Sequence, residues 1–131
     1  MSRRRKQAKL FLKSLSDMLA KERLYPWMLG ASVLLWLVTL ALPLWRIVPL
    51  AGETPFLPLH YNVYFGVDRF GPWWQVFVPN ALGLLFLCVA LSMQARFFRR
   101  EPLLSRFFSI STVLIEATFF VAMVLLVLLN I

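Results

Sequence analysis

The chain has 131 residues, 60% of them apolar and 15% aromatic, with a mean hydropathy of +0.74 and a formal charge of +8. Soluble domains are about 45–50% apolar and roughly 25% charged, against 15% charged here, and a small globule has too little interior to hide the excess. Disorder, collagen and coiled coil are excluded by that composition, and a disulfide scaffold by the single cysteine, Cys88, which leaves a small integral membrane protein.

Residues 1–23 are basic, and Phe11, Leu12, Leu15, Met18 and Leu19 recur at helical steps while Lys9, Lys13, Ser16 and Asp17 fall elsewhere. This pattern predicts an amphipathic helix lying in the headgroup region. Its partners would be anionic lipid headgroups, at about 1 kcal/mol per basic residue. Residues 24–45 hold no charge and form the first span, which needs about 20 apolar residues. A cleavable signal peptide has a core of about 7–15 residues and a small-x-small site, and neither fits.

Residues 46–73 form a loop rich in aromatic residues. Leu57, Leu59, Tyr61, Val63, Phe65 and Val67 alternate with Pro58, His60, Asn62, Tyr64, Gly66 and Asp68. That period predicts one extended strand with His60, Asn62 and Tyr64 on a common face. Its partner would be the segment 47–50, across a turn at 51–54, with Pro49 limiting the pairing to an edge. Trp45, Phe56, Phe70, Trp73, Trp74 and Phe77 read as an interfacial aromatic belt.

The second span is placed at 74–98, with Cys88 as a small core residue, and the third at 106–131. In the connection 99–105, Pro102 is expected to stop the second helix and Ser105 to cap the third. The expected fold is therefore an all-α membrane protein of three transmembrane helices, with an interfacial N-terminal helix and a short β-like loop. Twelve of the 14 basic residues lie before the first span or between the second and third, leaving Arg46 and Arg69 in the long loop. The positive-inside rule then puts the N-terminus in the cytoplasm and the loop and C-terminus outside the cell's inner or plasma membrane. The same placement accounts for the charge without nucleic acid, for which no binding motif is present.

Two constellations carry functional expectations. In the loop, His60 and Asp68 with Glu53 upstream are metal-ligand types, yet their spacing matches no compact site, and no metal or other cofactor is expected. No nucleophile elbow accompanies the single histidine, so the chain is not read as an enzyme. The structural reading has His60 and Asn62 bonding backbone groups, Gly66 supplying a positive-φ turn and Asp68 closing it. The functional reading makes His60, Asn62, Tyr64 and Asp68 a ligand- or partner-binding set.

Pro58, His60, Asn62, Gly66 and Asp68, directly after a first membrane helix, resemble a known bacterial pattern. It is the small membrane domain of SdpI-type immunity and signal-transduction proteins, whose outer loop reads Pro-x-His-x-Asn-x-x-x-Gly-x-Asp. The resemblance implies an extracytoplasmic loop that senses or neutralises a membrane-active peptide, or recruits a regulator. Tyr61, Tyr64, Phe65 and the Gly-Pro-Trp-Trp at 71–74 lie outside that pattern.

The second constellation centres on Glu116, near the middle of the third span. A central carboxylate costs roughly 2.5–3.5 kcal/mol, which the surrounding Leu, Ile, Val and Phe outweigh. Ser109, Thr112, Glu116, Met123 and Asn130 share one stripe, facing Ser32, Thr39 and Arg46 of the first helix and Asn80, Gly83, Leu87 and Gln94 of the second. Glu116 is expected as the protonated acid, hydrogen-bonded to a Ser or Thr on a neighbouring helix or to another subunit. The leading functional expectation is a membrane protein acting by interaction, with a membrane-protein partner or a second copy of itself. The alternative is a subunit of an oligomeric proton or small-ion transport assembly that uses Glu116.

Overall fold

The computed structural model describes residues 3–131. Helix α1 (Arg3–Lys21) is followed after two residues by α2 (Leu24–Arg46), a 3-10 turn (Val48–Leu50) and the strands β1 (Phe56–Asn62) and β2 (Gly66–Pro72). A 3-10 segment (Trp73–Phe77) then leads into α3 (Val78–Phe97), and α4 (Pro102–Leu129) completes the fold. Three helical stretches, Leu24–Leu50, Trp73–Phe97 and Pro102–Leu129, are long and apolar enough to cross a membrane.

These helices are apolar outside and polar within. Ser32 and Thr39 of α2, Asn80, Gly83 and Gln94 of α3, and Ser105, Ser109, Thr112 and Glu116 of α4 are buried. Large residues such as Leu34, Leu85, Phe107, Leu114 and Leu125 face outward. In lipid there is no hydrophobic gain from pairing two apolar helix faces. Small and polar residues therefore take the contacts, because they allow close approach and offer hydrogen bonds. The buried positions recur at seven-residue steps, such as Ser32 and Thr39, Asn80 and Leu87, and Ser109, Glu116 and Met123. Seven-residue steps keep one stripe along helices that cross at a shallow angle. Helix α4 packs extensively against both α2 and α3, which touch each other far less.

Cys88 follows the buried Leu87 by one position, about 100° around the helix, and so is exposed on the outer face of α3 instead of lying in the core. The third long apolar helix starts at Pro102, earlier than expected. Proline is well tolerated in a first turn, where its missing N–H has no helical partner. Ser105 consequently lies inside α4 and does not cap it, its hydroxyl donating to the Gln94 carbonyl at 2.9 Å. Pro43 is buried within α2 and removes the N–H that would reach the Thr39 carbonyl, but the helix resumes with Ile47 N–H donating to Pro43 O at 2.9 Å.

The loop departs from the single expected strand. It folds into an antiparallel hairpin in which β1 pairs with β2 and not with 47–50. The chain reverses at 63–65 because the Asn62 side chain accepts the Tyr64 backbone N–H at 2.9 Å and Gly66 adopts φ +72°. Segment 47–50 is unavailable for pairing, since Ile47 is buried and Val48–Leu50 winds into a 3-10 turn around Pro49. Register shifts flank His60, pairing it with Arg69 while Leu59 and Asp68 have no partner across the ladder.

The hairpin is seated on the end of the bundle. Leu57 packs into an apolar cluster with Ile47, Val76, Met123 and Val127. Trp73 N–H donates to Pro55 O at 3.1 Å, and the Asn130 amide donates to Pro58 O at 2.8 Å. At the opposite end, α1 lies against α3 and the α3–α4 connection. Ser14 Oγ donates to Ala95 O at 2.6 Å, Arg99 pairs with Asp17, and Arg106 pairs with Glu22 at 3.1 Å.

Candidate functional site

The hairpin brings together part of the set expected from the sequence. His60 Nδ1 lies 2.7 Å from Asp68 Oδ1, joining the two strands through side chains that both face solvent. The structural reading had His60 bonding backbone; its partner is instead the carboxylate brought beside it by the irregular register. Asn62 is spent on the turn, as the accepting side chain of an Asx turn. Tyr64 sits at the tip and shares no strand face with His60, because the chain has already turned. Glu53 does not join His60 and Asp68, and among the described residues no three His, Cys, Asp or Glu side chains cluster closely enough to hold a metal.

The tip itself is the most exposed apolar feature of the hairpin. Val63, Tyr64 and Phe65 are 85%, 90% and 83% exposed. Tyr61 beside them is also exposed, whereas exposed Phe56 and Phe70 lie at the other end of the hairpin, next to the bundle. Three aligned devices hold this surface in shape: the Asn62 turn, the Gly66 backbone and the His60–Asp68 bridge. Composition hid Val63 and Phe65, since their alternation continued the strand period straight through the turn.

Within the bundle, Trp36 and Asn80 bind each other's backbones, with Trp36 Nε1 donating to Asn80 O at 3.0 Å and Asn80 Nδ2 donating to Trp36 O at 3.3 Å. Gln94 Nε2 donates to Thr112 Oγ1 at 3.4 Å, and Tyr25 OH donates to Ser105 Oγ at 3.1 Å. Trp36 and Tyr25 were not singled out from the sequence, because neither is one of the small and polar residues that mark the stripe.

Glu116 is fully buried, and neither carboxyl oxygen has a hydrogen-bond partner among the described residues. The expected bond to a neighbouring Ser or Thr is not formed. Thr112 donates to Phe108 O at 2.6 Å and Thr39 to Leu35 O at 2.8 Å, so each hydroxyl is turned onto its own helix. Ser32 and Ser109 hydroxyls are also buried and unpartnered. The carboxyl fits because α3 presents Gly83 there, where a Cβ would come within 2.9 Å of Glu116 Oε2.

This chain matches no known protein family, no curated protein and no solved structure. The likeness to the SdpI-type domain therefore rests on the hairpin residues alone. Chemically, the hairpin offers an exposed, pre-shaped apolar and aromatic surface beside one histidine–carboxylate pair, an arrangement suited to binding.

Proposed function

We propose that the chain is a multi-pass protein of the cell's inner or plasma membrane that acts by recognition and not by catalysis. In this reading the N-terminus and α1 lie in the cytoplasm against anionic headgroups, and the hairpin and C-terminus face outward. The hairpin tip docks a membrane-protein partner, which includes a second copy of the chain. What carries the reading is the tip: three adjacent, almost fully exposed apolar residues on a hairpin braced by its own side chains. Exposed apolar surface of that kind marks contact sites, and bracing lowers the ordering cost of binding. The SdpI-type resemblance is the ground for assigning the partner to an immunity or signalling role.

A photoreactive phenylalanine analogue at position 64, activated in intact cells, tests this directly. The expected product is a discrete protein adduct that a second substitution, Asp68→Ala, removes while the protein stays inserted and abundant. Adducts with lipid alone would overturn the reading and make the hairpin a membrane anchor. A second reading, a subunit of a proton- or ion-moving oligomer, is favoured by the unpartnered Glu116 carboxyl. It requires that proteoliposomes holding the assembled protein conduct protons or cations and that Glu116→Gln stops them.

A further inference from the structure

A cleft lies beneath the hairpin, between β1 and the neighbouring ends of α3 and α4. It has two adjoining compartments that share Leu59, Pro79 and Leu126. One, of about 320 Å³, is polar at its rim, where Arg69, Trp74 and Gln75 supply guanidinium, indole and amide donors. The other, of about 640 Å³, is walled by Ala122, Leu125, Leu128 and Leu129 and roofed by His60 and Tyr61. Ligand sites commonly span about 300–1,000 Å³, mostly apolar with a few placed polar groups. Leu125 and Leu128 are exposed on the outer face of α4, so the apolar compartment opens sideways, toward the bilayer that surrounds a membrane helix.

We infer that this cleft holds one glycerophospholipid of net negative charge, drawn from the surrounding bilayer. Its phosphate meets Arg69, Gln75 and Trp74, and one acyl chain runs along Leu126 and Leu129. Charge complementarity selects the occupant. Asp68 is engaged by His60, and among the described residues Arg69 has no carboxylate partner. A guanidinium is the group best matched to a phosphate. A second observation points to a built site. Gly71 is buried, and a Cβ there would collide with both the Leu59 side chain and the Gln75 amide. Glycine at this position is what lets the shared wall and one of the donors stand together. The site lies on the flank of the hairpin, away from the tip, and does not depend on what the tip binds.

The test reconstitutes the full chain in vesicles of phosphatidylcholine and phosphatidylglycerol with a trace of phosphatidylglycerol carrying a diazirine on one acyl chain. After irradiation, labelled peptides are mapped by mass spectrometry. The expected label concentrates in 122–129 of α4 and falls roughly tenfold in Arg69→Gln, the loss of one hydrogen bond to a charged group. Leu126→Trp, which fills the shared wall, removes it, and Tyr64→Ala at the tip leaves it unchanged. Gly71→Ala lowers it by shifting Gln75. Label spread evenly over the outward faces of all three helices, unaltered by Arg69→Gln, would overturn the inference and leave only ordinary boundary lipid. Equal label from a diazirine phosphatidylcholine probe would overturn the charge selection.

Discussion

Glu116 occupies the space that a side chain at position 83 would need, for a Cβ on Gly83 would lie 2.9 Å from Glu116 Oε2. The two positions face each other across the α3–α4 contact, so position 83 cannot be enlarged while Glu116 is present. Gly83→Ala should lower the stability of the helix association by about 1–3 kcal/mol, the usual cost of overpacking. In a Glu116→Ala background the same change should cost much less. A double-mutant cycle read from unfolding in mixed detergent–lipid micelles measures that coupling. Equal costs in both backgrounds would show that the two residues do not meet.

Because neither oxygen of Glu116 is bonded, its removal should strengthen the bundle. Glu116→Leu is expected to raise stability by about 1–3 kcal/mol, the desolvation penalty of an unsatisfied buried group. Glu116→Gln keeps that penalty and should bring no gain. A carboxyl that served as helix-to-helix glue would give the opposite order, with Leu the weaker variant by about 0.5–2 kcal/mol. The same unfolding measurement distinguishes the two orders.

The hairpin tip is shaped locally, so its variants should alter local order more than global stability. The His60–Asp68 contact is exposed, and an exposed side-chain contact of this kind contributes at most about 1 kcal/mol. Asp68→Asn should accelerate amide hydrogen exchange at 62–66 while leaving exchange in α4 unchanged. Gly66→Ala forces a β-carbon into φ +72° and should cost more, about 1–3 kcal/mol of local strain. Slower exchange in either variant would mean that these residues do not brace the turn.

At the other end, α1 is held by the Asp17–Arg99 ion pair and one serine hydrogen bond, and the Glu22–Arg106 pair fixes the link that follows it. Asp17→Asn combined with Glu22→Gln should free α1 for cleavage by trypsin at Lys13, with high salt producing part of the same effect. Proteolysis of membranes opened to the enzyme reads this out. No change in cleavage would place the docking of α1 in its apolar face, through Met18.

The proposed orientation has its own measurement. In a Cys88→Ala background, Gly52→Cys and Ile131→Cys should react with an impermeant thiol reagent in intact cells, and Arg100→Cys only after permeabilisation. Reaction of position 100 in intact cells would invert the topology.

The first two spans were readable because a charge-free stretch bounded by arginines has few alternatives, and most of the buried polar stripe followed from seven-residue spacing, except at Arg46, which is exposed. The hairpin was half readable. Alternating apolar residues identified extended chain, but Val63 and Phe65 kept that alternation through the reversal, and only Asn62 and Gly66 mark it. The His60–Asp68 contact depends on a register shift that no local pattern encodes. The isolation of Glu116 was equally hidden. Composition shows that Thr112 and Thr39 are near, and only three-dimensional geometry shows their hydroxyls turned onto Phe108 and Leu35.

The contact pattern of α4 has a consequence for biogenesis. Helices α2 and α3 touch each other little and meet mainly through α4, which follows them in the chain and leaves the ribosome after both. Until it arrives, Ser32 and Gln94 lack the helix that covers them, and α2 and α3 are joined through the Trp36–Asn80 pair. On this packing, completion of the bundle waits on α4. A chain arrested before Pro102 would hold α2 and α3 whole, with the polar stripe that meets α4 left uncovered.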